Sequence, residues 1–281
     1  MKRRNFIRSF SVGTAGILSF PLNSCRINAE NGKYGIILSS LKKEVKENPD
    51  EVFKKLSGAG YTFIESIGRY GIPAEHTIPH IKKYGLIPIT TGGVMSELLQ
   101  DIEHYLEIAR TYDLPYIVCY YPWTHDAESL TREQCLEAAE NLNKIAKIAN
   151  DHGRKFAWHN HNKEFRALDD GTLPFDIIMK NSNKELVNLE LDIFWVKHAG
   201  MDPLQIMKLY AKRITILHLK DMQAGNEMKN TAPGQGIIDF KSILQKKAQT
   251  ATEYCIVEFA GDNLGLDDAL KSIQYLKAFN L

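Results

Sequence analysis

From Tyr34 onward, short apolar runs alternate with longer stretches of helical period, and small residues mark the joins. Gly35-Ile36-Ile37-Leu38-Ser39 predicts a strand, and Pro49 to Ala59 an amphipathic helix stopped at Gly60. Tyr61 to Glu65 predicts the second strand, Ala74 to Tyr84 a helix stopped at Gly85, and Leu86 to Thr90 the third strand. Met95 to Tyr112 carries apolar residues at Leu98, Leu99, Ile102, Leu106 and Ala109, which predicts one longer helix. Pro115 to Tyr120 is the fourth strand, and Thr131-Arg132-Glu133-Gln134 is the N-cap of a helix reaching His152. The fifth strand begins at Lys155-Phe156-Ala157 and runs out into polar residues after Trp158, with a helix from Pro174 to Lys180 behind it. Leu186 to Asp192, Ile214 to Leu219 and Tyr254 to Phe259 predict strands six to eight, each followed by helical pattern: Pro203 to Tyr210, Phe240 to Lys247 and Leu266 to Phe279.

Eight strand-then-helix units over residues 34–281 predict a single-domain α/β protein, a (β/α)8 TIM barrel. An open doubly wound sheet is the rival, but it usually carries fewer strands, and no Gly-x-Gly-x-x-Gly follows the first strand here. The loops after strands four and seven (121–130 and 221–239) are long and lie at the end of the barrel that carries sites.

At 44% hydrophobic residues, a chain of 281 can bury a large core. Its formal charge is +1, but residues 1–24 hold four positive charges and no negative ones, which leaves −3 for the rest. That balance has no electrostatic footprint for nucleic acid. Lys2 to Arg8 is basic, Val12 to Phe20 is apolar, and Leu22-Asn23-Ser24-Cys25 follows. These read as an export signal over 1–24 with a twin-arginine pair at Arg3-Arg4, and as a lipobox ending at Cys25. Residues 25–33 then form a tether, and the protein is expected in the periplasm, touching the membrane only through lipid on Cys25. Cys119 and Cys255 sit in apolar runs and read as buried thiols, and with Cys135 they leave an odd number once Cys25 is lipidated. No Cys-x-x-Cys exists to hold zinc by thiolates.

The chemistry is expected at the strand ends. Side chains alternate faces along a strand, so His159 and His161 share one side of the fifth. Reading every strand end gives Glu65, His159 with His161, Glu190 with Asp192, His218 with Lys220, and Glu258. In a barrel these converge on one mouth. Such groups are costly to bury unless paired or metal-bound, so the set predicts either a structural polar network or a divalent-ion site. Imidazoles with carboxylates suit Mn²⁺, Co²⁺, Mg²⁺ or Zn²⁺. A Lewis-acid ion would stabilise an enediolate, and the base that removes the carbon-bound proton would be Glu164, Glu190 or a Lys220 with lowered pKa. Tyr120, Tyr121 and Trp123 form either an aromatic platform for a sugar ring or loop packing. Gly92-Gly93 admits either a ligand or a turn.

Gly58-Ala59-Gly60-Tyr61-Thr62-Phe63-Ile64-Glu65, His159-Asn160-His161-Asn162-Lys163-Glu164-Phe165, Leu191-Asp192-Ile193-Phe194-Trp195 and His218-Leu219-Lys220-Asp221 together resemble the sugar phosphate isomerase/epimerase superfamily. These are the xylose isomerase-like TIM barrels, a group that includes inosose dehydratase. Gly200-Met201-Asp202-Pro203 and Gly234-Gln235-Gly236 with Asp239 fit the same pattern. The resemblance implies one divalent metal held by four strand-end residues, commonly Glu, Asp, His and Glu. Asp192, His218 and Glu258 match the last three; the first falls at or near His159, with His161 the alternative. Trp195 stands where ketose epimerases of the family often carry a histidine, and the His-Asn-His-x-x-Glu-Phe form is closer to inosose dehydratase-like and keto-sugar-processing members. Substrate contacts are then expected from Glu65, His161, Trp195, Trp123 and Gln235.

Together with the export signal, which disfavours a phosphorylated substrate, the resemblance implies an exported, metal-dependent isomerase or epimerase of a non-phosphorylated sugar or keto-sugar. Expulsion of a β-substituent from the same enolate would make it a dehydratase or a lyase of 3-keto-glycosides. A non-catalytic sugar-binding lipoprotein is the reading from another class. Apurinic endonuclease chemistry shares the barrel, but strands one to three offer only Glu65 and the charge is wrong for DNA. Self-association into a homo-oligomer stays open.

Overall fold

A computed structural model describes residues 33–124, 129–225 and 227–281. The strands are β1 (Tyr34–Ile37), β2 (Tyr61–Glu65), β3 (Ile87–Pro88), β4 (Thr90–Val94), β5 (Tyr116–Tyr121), β6 (Lys155–His159), β7 (Val187–Asp192), β8 (Ile214–Leu219), β9 (Asp221–Met222), β10 (Asn230–Thr231) and β11 (Tyr254–Val257). The helices are α1 (Lys42–Glu47), α2 (Pro49–Ala59), α3 (Ala74–Lys83), α4 (Met95–Gln100), α5 (Ile102–Tyr112), α6 (Arg132–Asp151), α7 (Pro174–Asn181), α8 (Ile193–His198), α9 (Pro203–Leu209), α10 (Phe240–Lys247) and α11 (Leu266–Lys277).

All neighbours in the main sheet are parallel, in the order β3-β2-β1-β11-β8-β7-β6-β5-β4. Its two ends, β3 and β4, are consecutive pieces of one path, so the sheet curls into the expected eight-position barrel. Pro88 has no N–H to give, and the third position breaks there into two strands. Ile89 spans the break: its N–H donates to Ile64 O at 2.9 Å and its carbonyl accepts from Tyr116 N at 3.2 Å.

Two apolar layers follow from strand alternation. Ile37, Phe63, Ile89, Tyr116, Val118, Ala157, Ile216, Tyr254 and Ile256 fill the interior, where Tyr254 meets Phe63 and Tyr116 edge to face. The residues between them, such as Ile64, Ile117, Trp158, Leu191, Leu217 and Cys255, pack outward against the helices. Continuing the inward register one step past Phe63, Ala157, Ile216 and Ile256 reaches Glu65, His159, His218 and Glu258. The apolar plug therefore ends where the polar cluster begins.

Two expectations change. The helix over Met95 to Tyr112 is two helices, because Asp101 leaves helical geometry and its Oδ1 accepts the His104 N–H at 3.2 Å, capping α5. The six-residue α8, directly after β7, was not foreseen; Asp192 Oδ1 caps it by accepting from Phe194 N at 2.8 Å and Trp195 N at 3.4 Å. Gly92 lies within β4, where a Cβ would lie 1.9 Å from Val118 O, so the missing side chain allows β4 to approach β5. The capping pattern at Thr131 forms as expected, with Gln134 N to Thr131 Oγ1 at 3.2 Å. Cys119, Cys135 and Cys255 are buried free thiols.

The signal segment, Cys25 and the tether up to residue 32 lie outside the described residues, as do 125–128. Among the described residues no helix is long and apolar enough to cross a membrane. The loop after β8 is wound on Asp221, which is buried. Its Oδ1 accepts from Met222 N (2.8 Å) and Ile238 N (3.0 Å), and its Oδ2 from Gly234 N (3.0 Å) and Gly236 N (2.9 Å). An amide at this place would turn N–H against N–H. Asp221→Asn should therefore lower stability by about 3 kcal/mol or more, read as a drop in the urea midpoint.

Candidate active site

The barrel mouth gathers Glu65, His159, Glu190, Asp192 and His218, all buried, with Lys220 and Glu258 beside them. Backbone register sets who meets whom. His159 lies opposite Glu190, and Asp192 opposite His218. His159 Nδ1 is 2.9 Å from Glu190 Oε1, and its Nε2 is 3.7 Å from Asp192 Oδ2. His218 Nε2 is 3.1 Å from both Glu65 Oε2 and Glu190 Oε1, and its Nδ1 is 2.6 Å from Glu258 Oε2. Lys220 Nζ donates to Glu258 Oε1 at 2.7 Å and stands 3.8 Å from Asp192 Oδ2. The hydroxyl of Tyr120 donates to Glu65 Oε1 at 3.1 Å and meets Ser66 Oγ at 2.6 Å.

The electrostatics follow from these contacts. Burial raises the carboxyl of Glu65, and Glu190 beside it raises it further. Burial by itself would lower the imidazole of His218, yet Glu65 and Glu190 carry it well above its ordinary value. Burial likewise acts to lower Lys220, but Glu258 and Asp192 outweigh it and hold the side chain as an ammonium. This corrects the expectation of a lowered lysine. Burial, then the neighbouring His159, pushes His161 down to about 3, so that ring is neutral.

Whether a cation fits can be judged from the donors. His159, Asp192, His218 and Glu258 each present a ligand atom, all within 4.8 Å of one another; Glu65, Glu190 and His218 form a second such group. Asp192 Oδ2 is buried with no hydrogen-bond partner, as is Glu190 Oε2. A bare buried carboxylate oxygen is costly, and Asp192 Oδ2 belongs to the four-residue group. Two imidazole nitrogens and two carboxylates make a donor set suited to a divalent ion such as Zn²⁺, Mn²⁺ or Co²⁺.

The remaining residues divide. Trp195 packs against His161 at 5.3 Å between ring centroids, and Lys220 Nζ lies 5.1 Å from its ring. Trp195 Nε1 and His161 Nδ1 are both buried without a partner. These two rings, with Tyr121 at 6.1 Å from His161, form a wall beside the cluster. Tyr120 is no platform, since its hydroxyl is spent on Glu65 and Ser66. Glu164 is not brought into the cluster: Oε1 accepts from Trp123 Nε1 at 2.8 Å and Oε2 from His161 N at 2.8 Å. Trp123 is thereby a clasp between the loops after β5 and β6. Glu190 lies behind both imidazoles. The exposed Gln235 donates to Asp268 Oδ1 at 2.7 Å and pairs with Thr231, away from the cluster.

Three residues have roles that the sequence does not indicate. Asn160 faces away from the interior, yet its side chain joins β6 to β7 by accepting from Asp192 N at 3.0 Å and donating to Asp192 O at 3.3 Å. Ser66 and Tyr70 have φ of 68° and 59°, a strained backbone for these residues, in the loop after β2. Burial and the charges of Glu258 and Glu65 raise the phenol of Tyr70, which places it near the cluster.

A parallel eight-position barrel with a buried imidazole–carboxylate set at its C-terminal mouth is an enzyme-type barrel. The chain belongs to the xylose isomerase-like TIM barrel family, which it matches over residues 53–279. It is 29% identical over 168 residues to an inosose dehydratase of Clostridium perfringens, covering 53% of this chain and 56% of that one. The chain thus spans about half the length of the curated relatives it matches. A sugar phosphate isomerase/epimerase from Parabacteroides distasonis shares the fold with TM-score 0.75 and 22% identity, over 89% of this chain and 96% of that one. The IOLI protein with a bound zinc atom superposes with TM-score 0.64 at 17% identity, over 88% of this chain and 97% of the other.

The Trp123 clasp can be tested by itself. Trp123→Phe keeps the ring but strands a buried Glu164 oxygen, and should cost about 1–3 kcal/mol in urea denaturation.

Proposed function

We propose that the protein is a divalent-metal-dependent enzyme that enolises a non-phosphorylated sugar or keto-sugar, giving isomerisation or epimerisation. The observation that carries this is the four-residue donor group His159, Asp192, His218 and Glu258 with the unpartnered Asp192 Oδ2 among its atoms. The family membership and the inosose dehydratase relative support sugar chemistry. The zinc in the IOLI neighbour agrees with a metal at this mouth.

A bound ion would supply Lewis-acid polarisation of a carbonyl and hydroxyl pair. His159 and His218 would give nitrogen ligands, and Asp192 and Glu258 oxygen ligands. Lys220 is the acid–base group: as an amine it would take the carbon-bound proton, and the ammonium so formed, paired with Glu258, would return that proton to carbon or pass it to a leaving group. Trp195 and His161 hold the sugar by ring stacking and through their two unpartnered nitrogens. Glu164 and Glu190 keep their structural partners and take no proton from substrate. Elimination from the same enolate, as in a dehydratase or 3-keto-glycoside lyase, is the second reading, favoured by the inosose dehydratase relative.

The location belongs to the same proposal: an export signal over 1–24 and lipid on Cys25 would place the barrel at the periplasmic membrane face.

Two measurements check the reading. Asp192→Ala or His218→Ala should remove divalent-ion binding by equilibrium dialysis and reduce turnover at least 100-fold; undiminished turnover in either variant would refute the assigned ligands. Proton NMR in D2O with Mg²⁺ and a panel of keto-sugars and 3-keto-glycosides separates the outcomes. Deuterium entering beside the carbonyl with the glycosidic bond intact means isomerase or epimerase. Release of the aglycone or loss of water means lyase or dehydratase.

A further inference from the structure

We propose that Tyr70 is a substrate contact that faces Trp195 across the barrel mouth, so that one sugar ring is held between two aromatic walls and accepts a hydrogen bond from the Tyr70 hydroxyl. The inference rests on the sugar reading above and adds a residue on the side of the site which that reading leaves open. Tyr70 follows β2 and Trp195 follows β7, both at the C-terminal end of the barrel. Around the barrel, β1, β11 and β8 separate these two strands in one direction, and β6, β5 and the β3–β4 path separate them in the other. The two residues therefore rise from opposite sides of the mouth, with the charged cluster between them. Lys220 belongs to both sides: its Nζ lies 5.1 Å from the Trp195 ring, and it shares a field with the Tyr70 phenol. Burial first, and then the charge of Glu258, raise that phenol, so its hydroxyl keeps a proton to donate.

The loop that carries Tyr70 is wound at a conformational cost. Ser66, Gly68, Tyr70 and Gly71 have φ of 68°, 77°, 59° and 64°. Glycine adopts such angles freely, whereas a serine and a tyrosine hold them only where the surroundings enforce them. Here β4 and its exit do the enforcing. Ser66 N donates to Thr90 Oγ1 at 2.9 Å, Ile67 N to Thr90 O at 2.9 Å, and Thr91 Oγ1 to Ile67 O at 2.8 Å. Arg69 Nη1 donates to Gly92 O at 2.7 Å and to Glu97 Oε2 at 3.0 Å. The guanidinium so pinned stands 5.4 Å from the centre of the Tyr70 ring and 5.2 Å from that of Tyr120, a cation against two π-systems. Because Tyr120 bonds Glu65, the brace runs from the cluster through Arg69 to Tyr70. The winding itself does not call for a tyrosine, since glycine suits that angle better. What the half-buried Tyr70 adds is a ring and a hydroxyl at the mouth, the two features that hold a sugar.

The test titrates the full chain, in Mg²⁺, with two probes, D-fructose and methyl 3-keto-α-D-glucopyranoside, and reads affinity by saturation-transfer NMR. Tyr70→Phe keeps the ring and its packing and removes only the hydroxyl; it should weaken the sugar that the wild type binds by roughly 5–10-fold. Tyr70→Gly relaxes the backbone but removes the ring, and should weaken it by roughly 10–100-fold. Mg²⁺ binding by equilibrium dialysis should match the wild type in both variants, because Tyr70 lies outside the four-residue donor group. Wild-type sugar affinity in either variant would overturn the proposal, as would a loss of sugar binding that brings a loss of Mg²⁺ binding with it. If Tyr70→Gly does not fold, Tyr70→Phe decides. A wild type that binds neither sugar would overturn this inference together with the sugar reading; sugar binding that both variants retain in full would remove only this inference.

Discussion

Four carboxylates, Glu65, Glu190, Asp192 and Glu258, meet at the mouth of the barrel above its apolar plug, and the rest of the mouth is arranged to answer their charge. Burial in that setting disfavours every ionised oxygen unless a donor or cation faces it. His218 stands at the centre of the response, bonded to Glu258 on one side and to Glu65 and Glu190 on the other. Lys220 covers the outer edge of Glu258 and reaches toward Asp192. Even the distant hydroxyl of Tyr120 is recruited to Glu65. The oxygens left bare, on Asp192 and Glu190, measure what the protein side chains alone do not satisfy. A divalent ion among these donors would complete the balance and compete with Lys220 for the same oxygens, which links ion binding to the readiness of that lysine to move a proton.

The barrel could be read from the chain because its signals are local and repeated. Runs such as Ile214 to Leu219 and helices such as Pro49 to Ala59 and Phe240 to Lys247 have the bounds that their periodicity indicates. The convergence of Glu65, His159, Asp192, His218 and Glu258 also followed from strand alternation once eight units had been counted. The failures are local: a side-chain cap or a missing backbone N–H overrode the pattern. Asp101 split a helix of good apolar period by capping its second half, and Asp192 started α8 where the sequence looked like loop. Pro88 broke a strand that apolar content alone made continuous.

Roles were harder to read than positions. Glu164 and Glu190 are carboxylates near imidazoles in the sequence, which suits a base, but only three-dimensional bonding shows that Trp123 and the backbone of His161 take the first and two ring nitrogens take the second. Whether Lys220 is lowered or raised depends on the balance between burial and two facing carboxylates, a matter of distances that sequence does not carry. Gln235 shares a loop with Asp221 yet points to α11, because the Asp221 oxygens wind that loop on itself.

Asp192 divides its carboxylate between two tasks, one oxygen holding the first turn of α8 and the other facing His159 and Lys220. The same turn carries Trp195, the ring that borders the cluster. The aromatic wall and the charged centre are therefore hinged on a single side chain. For anyone reshaping the wall, this means that no substitution in α8 is purely steric. A backbone shift there tugs on the cap, turns the carboxylate and alters the field among the buried charges, so that the shape of the wall and the electrostatics of the cluster change together.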